Sequence, residues 1–289
     1  MDAIERAANL SCFVDPQDIV PLGGGITNVN LRLRDQGHSY VVRLGDDIPE
    51  HGVMRWNELA LSRAAHSAGF SPSVFHHEPG VLVLDFIDAQ TYDEDAVREP
   101  KNLTRIIDLI TRVHRDLSPH LLTPVLTFWP YQVIRTYAAR LLADSSSHAS
   151  ALPDMLADAK RLEEATGPID LVIGHNDLLA ANILDDGNRL WLIDWEYGGF
   201  NSPLFDLAGL ASNNGLSEDQ ERAMLEQYFE ASPNHQWRPY QAMKCASLMR
   251  ETLWSMTSEM HSDIDFDYAA YTAENLQRLN SALGDFHNS

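Results

Sequence analysis

The stretch Gly174-His175-Asn176-Asp177-Leu178-Leu179-Ala180-Ala181-Asn182, followed by Ile193-Asp194-Trp195-Glu196, constrains this chain more than any other segment. An apolar run, Leu171-Val172-Ile173, stops at Gly174 and opens a polar loop. Short strands from Asn182 to Leu184 and from Leu190 to Ile193 then flank the turn Asp185-Asp186-Gly187-Asn188. Such a hairpin carries Asn182 and Asp194 at its two ends and sends both side chains into one cleft with Asp177. The spacing suits phosphoryl transfer: Asp177 accepts the proton of an attacking hydroxyl, while Asn182 and Asp194 hold magnesium ions that bridge nucleotide phosphates. The plain alternative, a hairpin with a polar loop and scattered surface acids, needs several chemically matched positions to coincide by chance.

A false twin lies upstream. Val113-His114-Arg115-Asp116-Leu117 reads like the catalytic loop of protein kinases, but that loop requires an amide five residues after its Asp, and position 121 is Leu. Leu103, Ile106, Ile107, Ile110, Val113, His114 and Leu117 recur at helical spacing, so the segment reads as the end of an amphipathic core helix.

The chain's 289 residues and 44% hydrophobic content supply a core for one large domain or two lobes. No apolar run approaches membrane-spanning length, and the acidic N-terminal residues Met1-Asp2-Ala3-Ile4-Glu5-Arg6 lack the basic start of a signal peptide, which points to the cytoplasm and away from membrane insertion. Cys12 and Cys245, the two cysteines, form no disulfide framework or metal spacing and read as packing residues. A formal net charge of -21 disfavours a nucleic-acid partner, favours the approach of small cations, and is equally explained by solubility or salt adaptation. His76-His77-Glu78, between Pro72 and Pro79, reads as a solvated loop rather than a metal site.

Three strands (18–22, 28–33, 39–44), a helix over 53–68 closed by Gly69, and two strands (73–75, 81–86) make an α+β N-terminal region. Seven helical segments come after it, interrupted by the catalytic hairpin, so the chain divides into a nucleotide-clamping lobe over 1–88 and a catalytic and substrate-binding lobe over 89–289. In the first lobe, Gly23-Gly24-Gly25-Ile26-Thr27-Asn28 lies between two strands. Bare backbone there closes over phosphates, with Thr27 and Asn28 as extra donors, although a glycine-rich turn alone has the same composition. The only lysines are Lys101, Lys160 and Lys244, so the phosphate-clamping cation of the third strand is Arg43, paired with Glu58 on the next helix through the fork of guanidinium donors.

Together these residues resemble the kinase-like phosphotransferases that include choline and ethanolamine kinases and the aminoglycoside phosphotransferases. Gly24 to Asn28, Val42-Arg43-Leu44, His175 to Asn182 and Ile193 to Tyr197 look like the choline/ethanolamine branch, in which Arg43 replaces the lysine usual in aminoglycoside phosphotransferases. The resemblance implies a bilobal protein-kinase-like fold, an antiparallel N-terminal sheet with a helix and a mainly helical C-terminal lobe. It implies ATP and Mg2+ as cofactors and a cationic amino alcohol as substrate. It places adenine against Asp85, Phe86 and Ile87, makes Asp206 a brace and His175 an ordering residue of the catalytic loop, and puts the substrate ammonium among Tyr197, Trp254, Phe266 and Tyr271, with Tyr268 alongside. Where the family often has a second Trp one turn before the first, this chain has Glu251, a carboxylate suited to a primary or partly methylated ammonium. A kinase for another cationic metabolite or an aminoglycoside is the second reading, and a nucleotide-binding pseudokinase the third. Oligomeric state leaves no mark on the sequence.

Overall fold

The computed structural model describes residues 2–23, 28–262, 264 and 266–288. The N-terminal part is a five-stranded antiparallel sheet of β1 (Gln17–Leu22), β2 (Val29–Asp35), β3 (His38–Leu44), β4 (Val74–Glu78) and β5 (Val81–Asp85), in the order β1-β2-β3-β5-β4. Strand alternation assigns its two faces. Leu31, Leu33, Tyr40, Val42, Leu44, Val81 and Val83 form one core with Ala7 and Leu10, and so bring the short helix α1 (Ala3–Ala8) under the sheet. Arg43, of opposite parity to Val42 and Leu44, faces away from that core and meets α2 (Arg55–Ser67). Helix α2 ends before Gly69, whose φ of 82° lies where side chains with a Cβ are disfavoured.

Beyond the sheet come β6 (Gln90–Thr91), α3 (Glu94–Arg98), α4 (Pro100–Asp116), α5 (Pro130–Ala143), α6 (Leu152–Thr166), β7 (Val172–Gly174), β8 (Ile183–Asp185), β9 (Leu190–Leu192), β10 (Gly199–Asn201), α7 (Pro203–Asn214), α8 (Glu218–Phe229), α9 (Asn234–His261) and α10 (Tyr268–Asn288). The expected hairpin is β8 and β9, with β6 added along β8, while β7 pairs with β10. Helix α9 is the axis of the helical part, packed by α5, α6, α7 and α10. Buried nearly all round, it still contains several Ser and Thr, because Thr252, Thr257 and Ser258 donate to carbonyls four residues back at 2.8, 2.8 and 3.0 Å. Helix α7 starts on the Ser202 side chain with Pro203 in its first turn and ends at Gly215 in the left-handed conformation.

Two local expectations need correcting, and two short helices lie outside the sequence reading. His76-His77-Glu78 lies in β4, an edge strand, where alternation leaves one face exposed without the apolar pattern that announces a buried strand. Helices α1 and α3, of six and five residues, are too short for a 3.6-residue period to show. Asn182 belongs to a 3-10 turn that precedes β8 and not to the strand itself. Among the described residues no helix is long and apolar enough to cross a membrane.

Candidate active site

Strand β7 delivers the chain to Gly174, and α7 fixes the loop that begins there. The carboxylate of Asp206, in the first turn of α7, accepts the backbone N–H of His175 at 2.8 Å and of Asn176 at 2.7 Å. Asn176 has a φ of 64° and is held there by its side chain, which donates to the Tyr197 carbonyl at 2.9 Å and accepts from Asn201 at 2.9 Å. His175 is buried, and desolvation holds its pKa down. The neutral ring donates from Nε2 to the Ile193 carbonyl at 2.9 Å, tying the catalytic loop to the far end of the hairpin, and packs on Trp195. Asp206 has another partner that sequence reasoning missed. His114, in the false twin, sends Nε2 to Asp206 at 2.8 Å and Nδ1 to the Tyr228 hydroxyl at 2.8 Å. Asp116, its supposed catalytic residue, is at the exposed end of the helix and pairs with its neighbour Arg115.

The hairpin then brings Asp177, Asn182 and Asp194 together. Asn182 donates to the Asp177 carbonyl at 2.9 Å, which pins the loop's width. Asp194, with a φ of 70°, turns one carboxylate oxygen to Arg43 Nη2 at 2.5 Å, while its Oδ1 is buried without a hydrogen-bond partner among the described residues. An orphaned carboxylate oxygen beside an amide suits a magnesium ion completed by phosphate oxygens and water. Asn182 and Asp194 therefore fit the metal that the fold implies. Among the described residues no group of three His, Cys, Asp or Glu forms a metal site.

Arg43 contacts Glu58 through Nη1, as the sequence pairing anticipates, and also lies 3.7 Å from Glu196. Burial alone would lower its pKa, but Asp194, Glu58 and Glu196 together raise it, so the guanidinium stays charged. A second arginine joins this network without drawing attention in the sequence. Arg55 reaches Glu58 at 2.7 Å, Glu196 at 3.2 Å and the Asn28 side-chain carbonyl at 2.5 Å, and Asn28 donates to Glu196 at 3.0 Å. Asn28, at the edge of the glycine loop, is thereby fixed to the hairpin. Gly24, Gly25 and Thr27 lie outside the described residues. Asp85 ends β5, Phe86 carries the Arg32 guanidinium 4.2 Å over its ring, and Ile87 comes next, half-buried.

Asp177 is a strongly perturbed carboxyl. Burial pushes its pKa up to about 8, with Glu251, Asp194 and Glu196 adding to the rise and Arg250 opposing it. Arg250, on α9, is the second residue the sequence reading missed: one of several charged residues scattered along a long helix, it carries no motif. Its Nη2 lies 3.6 Å from Asp177 Oδ1 and 3.3 Å from the Asn176 carbonyl, and its Nη1 donates to Glu251 at 2.7 Å. The guanidinium sits 5.0 Å over the Tyr197 ring and 5.6 Å over Phe128.

The aromatic residues gather on the other side of Arg250. Trp254 donates its indole N–H to the Tyr197 hydroxyl at 3.1 Å, and Tyr271 donates its hydroxyl to Glu251 at 2.9 Å. Trp254 lies 6.4 Å from Tyr271 and 6.0 Å from Tyr268, and Phe266 lies 5.7 Å from Tyr271. All five expected pocket residues, Tyr197, Glu251, Trp254, Phe266 and Tyr271, fall in this one cluster. Their exposures differ: Trp254 and Tyr197 are 3% and 6% exposed, against 41% for Phe266, so the first two act as the cluster's inner wall. His51, also unforeseen, backs Trp254 with ring centroids 5.1 Å apart, and bonds Tyr137 at 3.1 Å and Ser258 at 3.3 Å.

Known proteins resemble this chain in sequence and in fold. LicA of Haemophilus influenzae is 28% identical over 90% of this chain and 77% of its own length. A probable ethanolamine kinase of Arabidopsis thaliana is 25% identical over 86% of this chain and 75% of its own. The crystal structure of a choline/ethanolamine kinase family protein from Mesorhizobium loti superposes with a TM-score of 0.76 at 26% identity, covering 97% of this chain and 91% of that one. The family model described as choline/ethanolamine kinase matches residues 19–236, most of the chain, a range that includes Arg43, Glu58, Asp177, Asn182 and Asp194. A protein-kinase-like fold with Asp177, Asn182 and Asp194 at one cleft, and a family match that spans them, make this chain a member of the choline/ethanolamine kinase family.

Proposed function

We propose that the protein transfers the γ-phosphoryl group of ATP to the hydroxyl of choline or ethanolamine. The observation that supports this most is the unbroken path of contacts from Asp177 through Arg250 to Tyr197, Trp254, Glu251 and Tyr271, which puts aromatic faces beside the base. The substrate hydroxyl approaches Asp177, which takes its proton as the oxygen forms a bond to the γ-phosphorus. The bond from that phosphorus to the β–γ bridging oxygen breaks, and ADP leaves with the electron pair. Magnesium, when held by Asn182 and Asp194, supplies charge neutralisation on the phosphate oxygens. Arg43, fixed by Glu58, and the 23–28 loop grip the phosphates, and adenine lies along 85–87. The ammonium nests against Trp254, Tyr271 and Phe266, where each aromatic face contributes roughly 0.5 to 2 kcal/mol once the cation is desolvated. Its positive charge also draws the buried Asp177 carboxyl towards the ionised form that accepts a proton.

The polypeptide divides at 88/89 into a nucleotide-clamping lobe and a catalytic lobe, and works in the cytosol, as its unpaired Cys12 and Cys245 favour. ADP release is the test, measured with choline, ethanolamine and an aminoglycoside as acceptors. Turnover with the amino alcohols and not with the aminoglycoside is expected; the reverse ranking overturns the proposal.

A further inference from the structure

Glu251 reads from the sequence as a free carboxylate for a substrate N–H, but both of its oxygens have internal partners. Oε2 accepts from Arg250 at 2.7 Å, and Oε1 accepts from the Tyr271 hydroxyl at 2.9 Å. Arg250 is itself held by several neighbours: rings of Tyr197 and Phe128 near its guanidinium, the Asn176 carbonyl and Asp177 at its other terminal nitrogen, and only 5% of its surface exposed. On the amino-alcohol reading above, we propose that Arg250 is the specificity-determining residue, neutralising Glu251 so that the pocket ranks substrates by aromatic contact and favours N-methylated amino alcohols over those with N–H donors.

The physical argument is a competition for one acceptor. A primary ammonium entering water-free surroundings gives up three hydrogen bonds to water and needs charged acceptors in return. A quaternary ammonium has no such bonds to lose and gains attraction from aromatic faces alone. With Arg250 in place, an N–H substrate must either share Glu251 with a guanidinium of like charge or leave its donors unsatisfied. Both options penalise it and leave the trimethylated substrate untouched. The same guanidinium steadies Asn176 and Asp177, so its removal carries a second signature, a lower kcat with every acceptor.

The test is kcat/KM for ethanolamine, its mono- and dimethyl forms and choline in the wild-type enzyme, in Arg250→Met and in Arg250→Met combined with Glu251→Gln. In the wild type, kcat/KM should rise along the methylation series. Arg250→Met should lower kcat throughout and move the choline-to-ethanolamine ratio of kcat/KM about tenfold towards ethanolamine, the size of one charge-assisted hydrogen bond. Adding Glu251→Gln should cancel that move. A wild-type series that is flat or falls with methylation overturns the inference whether or not the variants fold, and so does an Arg250→Met enzyme that slows while its ratio stays fixed. If the wild type phosphorylates none of the four, the amino-alcohol reading itself has failed, which is a different result.

Discussion

At the end of the cleft proposed to hold phosphate, Arg43 of β3 and Arg55 of α2 meet three carboxylates, Glu58 of α2 and Asp194 and Glu196 after the hairpin. The network leaves one Asp194 oxygen with no partner among the described residues. At the substrate end, one arginine on α9 lies between Asp177 and Glu251, and the remaining polar groups are tied to one another: indole to phenol, phenol to carboxylate. The first region carries excess negative charge and an unpartnered carboxylate oxygen, the electrostatics that the proposed metal and polyphosphate require. The second is close to neutral while Asp177 keeps its proton, and presents aromatic carbon. On the proposed reading, charge placement separates the job of holding an anion–metal complex from that of choosing among cations, although both ends share Asp177 as their boundary.

Substituting the boundary residue should have the largest effect. Asp177→Asn should leave nucleotide binding intact and reduce turnover by about a hundredfold or more, since proton acceptance and hydroxyl orientation are lost together. The same change should stabilise the ligand-free protein at alkaline pH. A carboxyl at about 8 in the folded state and near 3.8 when unfolded keeps in the fold a proton that the unfolded chain releases, so its presence costs stability as pH rises between those values. Melting curves at pH 5 and pH 9 check this. An Asn variant with no relative gain at pH 9 would show that the boundary carboxyl is ordinary and that the two ends are not electrostatically joined through it.

The next effect belongs to the phosphate end. Asp194→Ala should remove magnesium-dependent nucleotide binding in calorimetry, because it deletes the orphaned oxygen and leaves Arg43 with Glu58 and Glu196 as its acidic partners among the described residues. Asp116→Ala, at the exposed end of α4, should bind nucleotide and turn over as the wild type does. If the two variants ranked the other way, the hairpin would not be the metal-binding element.

How much of each end is legible in sequence depends on how each is built. Asp177, Asn182 and Asp194 lie on a loop and the two flanks of one hairpin within eighteen residues, so spacing brings them close, and the Arg43–Glu58 contact comes from strand parity and the next helix. Arg55 is invisible because a charge in the first turn of α2 looks like any surface residue. The His114–Asp206 bond is hidden for a different reason. Its two residues come from α4 and α7, far apart in the chain, and the local motif around His114 suggests only a failed catalytic loop. Arg250 and His51 show the limit most clearly. Their roles depend on packing α9 against the catalytic loop and on a loop that leaves β3 and inserts behind Trp254, and neither long-range contact has a local pattern.

At the substrate end, Trp254→Ala should raise KM for the amino alcohol about tenfold, equivalent to about 1.4 kcal/mol, with the KM for ATP nearly unchanged. The ring is also wedged among His51, Tyr197 and Tyr268, so truncation should destabilise the fold by about 3 to 5 kcal/mol. Trp254→Phe separates the two effects by keeping an aromatic face while losing the bond to Tyr197. If both variants lost stability with no change in KM, the cluster would be core, and the comparison between the two ends would lose its second member.

The smallest effect concerns the backing of that cluster. Burial pulls the His51 pKa down to about 4, with Arg250 nearby reinforcing the fall, because a charged imidazole there would be desolvated and would face a guanidinium. The unfolded chain takes up this proton near 6.5, whereas the fold resists until about 4. The folded state therefore holds fewer protons across that interval, and stability is complete above 6.5 and lost as pH falls towards 4, by at most about 3 kcal/mol. His175, depressed by the same cause, contributes in the same direction, so the wild-type curve alone does not isolate His51. The difference between wild type and His51→Asn does. The variant should be less stable at pH 7.5, having lost the bonds to Tyr137 and Ser258, but should lose less on going to pH 5. Parallel curves, with a constant gap between the two proteins, would mean that His51 is solvated enough to titrate normally and that Trp254 has water, not a sealed wall, behind it.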